Sequence, residues 1–224
     1  MCAKQAMAEP IEWGAYAWRL LLGMKMTFAI SIVSMAISIL GGVLFGILMM
    51  LPSRLLRFCC RCYLELIRFI PLLVLLFIFY FGLAGWFDWH WEPYVVCTFV
   101  FSLWGIAEMG DLVRAALSSI DRHQSETALA LGLSKAQTFR YVLLPQSIRR
   151  ALPGIVNLLT RMVKTTALAA LIGVIEVVKV AQQIIELHPG ASFWIYGAVF
   201  VLYFIVCYPL SLLAARLEQQ GQES

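Results

Sequence analysis

Three stretches of this chain carry no charged side chain: 25 residues from Thr27 to Leu51, 19 from Phe69 to Phe87, and 24 from Ser192 to Ala215. At about 1.5 Å of rise per residue, each is long enough as an α-helix to cross a bilayer. With 62% hydrophobic and 13% charged residues among 224, a water-soluble domain could not hide these runs. Two interrupted runs complete a set of five predicted spans. One covers about Pro93–Gly110, with Glu108 near its end; the other covers about Ala151–Ile175, with Arg161 and Lys164 inside it. The expected fold class is an all-α membrane protein of about five transmembrane helices. The first run starts too late and runs too long for a cleaved signal segment, and no small-residue cleavage site follows it.

Placement of charge orients this bundle. Arg54, Arg57 and Arg61 follow the first span; Arg114, Arg122, Lys135, Arg140, Arg149 and Arg150 follow the third; Arg216 follows the last. Those ten basic residues face only four on the other side: Lys4, Arg19, Lys25 and Lys179. The positive-inside rule then places the 111–150 loop and the C-terminus in the cytoplasm and the N-terminus outside. Residues 1–23, with Trp13, Tyr16, Ala17, Leu20 and Leu21 at helical spacing, are expected to lie as an amphipathic segment at the outer interface before turning into the membrane. Gly42 and Gly46 form a small-xxx-small pair of the kind that lets helices approach closely. Cys59, Cys60 and Cys62 cluster near the second span, but no accompanying histidine or second cysteine pair supports a metal site, and they read as free thiols.

The 111–150 loop carries the most specific signal. Ser125 is placed to cap a short helix, with Glu126 in its first turn, and Gly132 to end it in a left-handed turn. Ser134 starts a second helix, with Gln137 three residues on completing a capping box. Pro145 opposes simple continuation of that helix. The expectation is a compact two-helix knuckle on the membrane surface, a shape suited to a groove on a soluble partner. The second span brings its own charges: Glu65 and Arg68, at i and i+3, are expected to neutralise one another just before the kink at Pro71. Deeper charges need partners as well, since one at the bilayer centre costs about 2.5–3.5 kcal/mol on insertion scales. Glu108 and Asp111 are the candidate partners of Arg161 and Lys164.

With these residues in view, the chain resembles the permease subunits of ATP-binding-cassette importers, in particular those for polar amino acids. Four blocks carry the likeness. Tyr63-Leu64-Glu65-Leu66-Ile67-Arg68-Phe69-Ile70-Pro71-Leu72-Leu73 is similar to the family's Tyr-x-Glu-x-x-Arg-Gly-Thr-Pro-Leu-Leu. Asp111-Leu112-Val113-Arg114 is similar to Glu-Ile-Val-Arg. Gln124 to Gly132, followed by Leu144-Pro145-Gln146, is similar to the coupling loop Gln-x-Glu-Ala-Ala-x-x-Leu-Gly … Leu-Pro-Gln. Lys164-Thr165-Thr166-Ala167-Leu168 and Ile172-Gly173-Val174-Ile175-Glu176 are similar to Lys-Asp-Thr-Ser-Leu … Ile-Gly-Val-x-Glu. Departures fall mostly outside the loop: Phe69-Ile70 stands for Gly-Thr, Thr165 for Asp, Ala167 for Ser and Glu108 for an aromatic. Within the loop, Thr127 replaces an alanine and His123 a glycine.

The resemblance implies a single permease domain over residues 1–224 in a bacterial inner membrane. It implies a coupling role for Gln124, Glu126, Thr127, Ala128, Gly132 and Pro145. Expected partners are cassette ATPase subunits, a second permease copy (identical or paralogous) and an extracytoplasmic amino-acid-binding protein. The chain lacks a Gly-x-x-x-x-Gly-Lys-Ser/Thr loop, so ATP and Mg²⁺ belong to the partner ATPase and no cofactor or enzymatic activity is expected here. Candidate pathway residues are Glu65, Arg68, Glu108, Asp111, Arg161, Lys164 and Thr166. Among them Lys164 stands out, because Thr165 and Thr166 beside it would keep a wet lining. Together with Glu108 it would offer both signs of charge to a zwitterion. Two other readings are weaker. A self-sufficient secondary transporter or channel would usually show paired repeats, which are missing here. A membrane-tethered helix-turn-helix regulator needs a third packing helix, yet Leu143, Leu144 and Pro145 lead straight back to the membrane. No nucleic acid partner is expected.

Overall fold

A computed structural model describes residues 12–88 and 90–222. Helix α1, Trp13–Met50, runs without interruption through the first apolar run. Residues 13–23 are therefore the opening turns of one continuous helix, with no break or turn before the first apolar run; residues 1–11 of the predicted amphipathic segment lie outside the described residues. After Ser53 caps it, α2 covers Arg54–Phe69. It stops there because Ile70, preceding Pro71, is driven into an extended conformation (φ −82°, ψ 124°). Helix α3, Leu72–Phe77, then starts in a new direction and continues through a π-helical turn, Ile78–Gly82, into α4, Leu83–Phe87. The two arms, Arg54–Phe69 and Leu72–Gly85, meet at 98°. The predicted kink at Pro71 is thus close to a right angle.

Helix α5, Pro93–Ser118, opens on a proline in its first turn, where the missing N–H costs nothing. It runs two turns beyond the predicted end at Gly110, so residues 111–118 are helical and not loop. Next come α6, Arg122–Ala130, and α7, Lys135–Thr138. A π-helical turn, Phe139–Leu143, joins α7 to α8, Leu144–Thr165. Pro145 does oppose simple continuation of the helix, and the structure shows how the chain answers it. The helix does not stop: it widens by one residue, with the Leu144 N–H bonded to the Phe139 carbonyl, and so accommodates a ring that cannot donate to an ordinary turn. Beyond α8 a 3₁₀ segment, Thr166–Ile172, leads through Gly173 (φ +89°) to α9, Val177–Leu187, and α10, Ser192–Gln222.

Among the described residues, four helical stretches are long and apolar enough to cross a membrane, and the bent α2–α4 pair makes up to five. Helices α1 and α5 form the principal seam of the bundle. Gly42 and Gly46 are used here, inside the chain: a Cβ on Gly42 would lie 2.4 Å from the Met109 Cβ, and one on Gly46 would lie 2.8 Å from the Gly110 carbonyl oxygen. Only backbone fits at that crossing. Buried Ser34 joins the same seam by donating to the Thr98 carbonyl at 3.2 Å. The core of the bundle is carried by Leu76, Val100, Phe101 and Ala169, and a second cluster joins Leu20 and Met24 to α9 and α10. Large apolar side chains such as Leu40, Phe193 and Phe200 face outward, as a lipid-solvated bundle requires.

Candidate functional site: a capped knuckle and a charge ladder

The knuckle forms from local signals, though not all those read from the sequence. Helix α6 begins four residues earlier than expected. Its cap is Asp121, whose carboxylate accepts the His123 N–H at 2.9 Å, and the Ser125 hydroxyl instead donates to the Arg122 carbonyl. Glu126 consequently sits in the second turn, and no acidic residue occupies the first. The other end is as predicted. Gly132 takes φ +85°, the Leu133 N–H reaches the Ala128 carbonyl at 3.1 Å, and the Gly132 N–H reaches that of Leu129 at 3.0 Å. This is a complete Schellman closure. Ser134 and Gln137 make the capping box reciprocally, at 3.3 and 2.8 Å.

Glu126, Thr127, Leu131 and Gly132 are exposed on this knuckle, while Ala128 is buried against its base. Gln124 of α6 faces Gln146 of α8 at 3.5 Å, beside exposed Pro145, so the two ends of the coupling-loop motif meet in space. Arg150 ties α8 to the end of α5 by donating to the Ser119 carbonyl and hydroxyl.

A second polar assembly crosses the bundle. The 98° bend turns the end of α2 toward α5, and Arg68 spans two carboxylates there: Glu108 at 3.3 Å and Asp111 at 2.7 Å. Arg114 binds the other oxygen of Asp111 at 2.6 Å, and Arg161 of α8 pairs with the second oxygen of Glu108. The result is an alternating ladder, Arg161–Glu108–Arg68–Asp111–Arg114. Glu108 and Asp111 share a face because they stand three residues apart on one helix. Trp104, a turn before Glu108, lies under the Arg161 guanidinium at 5.4 Å from its ring centre, a cation–π contact. Glu108 and Asp111 retain 16% and 21% of their side-chain exposure while Arg161 keeps 54%, so the carboxylates are the sheltered members of the ladder and Arg161 is its most open end.

This geometry corrects three sequence expectations. Arg68 pairs across the bundle and not with Glu65, which faces a cavity without an ion-pair partner among the described residues. Glu108 is held by two arginines and not by Lys164, which is exposed one turn beyond Arg161. Thr166 is fully buried and donates to the Val163 carbonyl at 2.7 Å, so it supplies no wet lining. Asp111 is paired with Arg68 and Arg114, and Arg161 with Glu108.

Sequence reasoning gave Glu176 no role, yet it is fully buried. One carboxylate oxygen caps α9 by accepting the Lys179 N–H at 2.9 Å, and the other accepts from Thr27 of α1 at 3.4 Å. Gly23, one turn earlier on α1, permits the close approach, since a Cβ there would lie 2.8 Å from the Val177 Cα. An acidic residue three positions before the α9 amide, preceded by a glycine that breaks the helix, was the available signal.

The chain matches the family described as binding-protein-dependent transport system inner membrane component over residues 38–220, and it belongs to that family. It is 34% identical over 193 residues to the probable amino-acid ABC transporter permease protein YckA of Bacillus subtilis (strain 168), covering 86% of this chain and 83% of that one. It is 33% identical over 202 residues to the glutamine transport system permease protein GlnP of Escherichia coli (strain K12), covering 90% and 92%. A solved amino acid ABC transporter with histidines superposes with a TM-score of 0.86 at 25% identity, covering 96% of this chain and 99% of that chain. The protein is a multi-pass inner-membrane permease, and its family works with an ATPase and a substrate-binding protein.

Proposed function

We propose that this chain forms half of the transmembrane pathway of an importer for a polar amino acid, and that its knuckle receives the force of a separate cassette ATPase. In this reading Gln124, Glu126, Thr127, Ala128, Gly132 and Pro145 build the coupling surface. ATP and Mg²⁺ bind the partner, a second permease copy completes the path, and a binding protein delivers solute from outside. The N-terminus lies outside and the C-terminus in the cytoplasm. The single observation that carries the reading is the closure of the knuckle at both helix ends, by Gly132 and by the Ser134–Gln137 box, so that it can transmit a push without unwinding. Two ATPase subunits closing on ATP would shift the bundle between two preexisting arrangements by moving these knuckles.

The pathway is assigned to the open end of the ladder. Arg161, with Trp104 beneath it and Lys164 a turn away, faces outward from this chain, and Glu108 supplies the opposite sign. A zwitterion needs both. Arg68 and Asp111 hold that end in place from within.

Reconstitution in liposomes tests this reading. Uptake of a labelled amino acid should require the ATPase, ATP inside and the binding protein outside. Uptake by the permease chain alone down an ion gradient would favour a secondary transporter and overturn the proposal.

A further inference from the structure

Beside the ladder, on the same side of the bundle as the knuckle, lies a cavity of ≈ 750 Å³ between the end of α1, α2 and the end of α5. Its lining contains five guanidinium groups, from Arg57, Arg61, Arg68, Arg114 and Arg122, against the two carboxylates of Glu65 and Asp111. Arg68 and Arg114 are already neutralised by the ladder. The others are not. The side chains of Arg61 and Arg122 have no hydrogen-bond or ion-pair partner among the described residues, and that of Arg57 makes only a 3.4 Å contact to the Pro52 carbonyl. Three exposed guanidiniums against one unpaired carboxylate, Glu65, leave this cavity with an excess of positive charge that attracts an anion. Guanidinium forks hold oxyanions, phosphate and carboxylate alike, through two parallel N–H bonds.

The surroundings say which oxyanion. Arg57, Arg61 and Arg68 share one stripe of α2. Leu55, Phe58, Leu66 and Phe69 run beside it on the adjacent stripe, 59–81% exposed. A helix with a basic stripe next to an exposed apolar one is built for the boundary between headgroups and acyl chains. The right-angle bend at Pro71 permits that position, because when one arm crosses the bilayer the other lies close to its plane. A free phosphate would use the arginines and leave the apolar stripe unexplained; an anionic phospholipid uses both. We infer that this cavity binds the phosphate of an anionic phospholipid headgroup, with the acyl chains lying along Leu55 and Phe58. The bound lipid clamps α2 to the end of α5 and to Arg122, the first residue of the knuckle's helix. Lipid charge then sets how firmly the knuckle is seated. Basic pockets between membrane helices recognise headgroups by this chemistry. The inference goes beyond the transport reading and does not depend on it.

The test uses the full-length chain with its co-purifying subunits in a neutral detergent. Adding phosphatidylglycerol should raise its melting temperature by about 4 °C, as expected for a ligand bound well above its Kd. Phosphatidylcholine and inorganic phosphate should not. Arg57→Gln/Arg61→Gln should abolish the rise, and Arg54→Gln, outside the cavity, should keep it. An equal rise with phosphatidylcholine or inorganic phosphate, or an undiminished rise in the double variant, would overturn the inference. A phosphatidylglycerol carrying a photoreactive headgroup gives a second readout on the unmodified protein. Cross-links should fall within residues 54–68 and 114–122, and cross-links confined elsewhere would overturn it without any variant having to fold.

Discussion

Ser134 and Gln137 close their reciprocal bonds across three residues of chain, whereas Arg68 reaches Glu108 and Asp111 across 40 and 43. Both regions are polar interruptions of an apolar chain, but they are held by different things. The knuckle's caps lie within it, so its shape is a local property that needs the bundle only as a base. The ladder's members come from α2, α5 and α8, so it exists only when those helices are packed. Damage to the knuckle should therefore spare assembly and abolish coupling. Damage to the ladder should be felt first in assembly. That division gives transmission and scaffold separate residues within one small chain.

The strongest challenge to this division is Gly132→Pro. Proline is fixed near φ −65° and cannot take the +85° found there, and it also loses the N–H bonded to Leu129. Binding-protein-stimulated ATP hydrolysis should fall by at least about tenfold, with the amount of chain in the membrane unchanged. Hydrolysis at the wild-type rate would show that the knuckle transmits nothing.

Next comes Glu108→Gln, which leaves Arg161 and one edge of Arg68 without a charged acceptor. The cost should be about 1–3 kcal/mol, moderated by the half-exposed Arg161, and read as a lower melting temperature of the complex. Glu108→Gln/Arg161→Met should recover most of it. Lys164→Met, which removes no ion pair, should leave the melting temperature unchanged while lowering uptake. If the recovery came from pairing Glu108→Gln with Lys164→Met instead, the ladder would be assigned wrongly.

Smaller effects sharpen the contrast within the knuckle itself. Asp121→Ala removes the cap of α6 and should cost about 1 kcal/mol of local stability, seen as faster amide exchange over residues 122–126. Ser125→Ala should change that exchange by less than about 0.5 kcal/mol, because its hydroxyl bonds back to a helical carbonyl and caps nothing. Equal effects from the two would restore Ser125 as the cap.

Much of the fold was legible before any coordinates. The apolar runs marked the spans, though the second proved to be an arm of a bent pair, and Gly132, Ser134 and Gln137 marked the closure of the knuckle, because these signals lie in contiguous residues. The same locality explains the misses. Ser125 and Asp121 are both acceptable caps four residues apart, and one-turn signals alone do not choose between them; the helix starts at the earlier one. Pro145 reads from the sequence as opposing simple continuation, but how the chain would answer it, by a stop or a widened turn, is not a local property. In the protein a single widened turn is cheaper than breaking a span, since tertiary packing on either side holds the helix together. Residues 13–23 read as a segment that turns before entering the first span; the structure makes them straight turns of α1, packed through Leu20 on α9 and α10.

The sequence by itself determined that this is a helical membrane protein with a capped loop, since hydrophobic length and helix-end chemistry are properties of contiguous residues. It also supplied every charge of the ladder. Only the tertiary structure decided who pairs with whom. Glu65 and Arg68 are suitably spaced on one helix, yet Pro71 turns that helix through a right angle and presents Arg68 to two carboxylates on α5. Inside an apolar bundle the partner of an ion is fixed by which opposite charge the packing brings within reach, and that depends on how helices cross, not on their order along the chain.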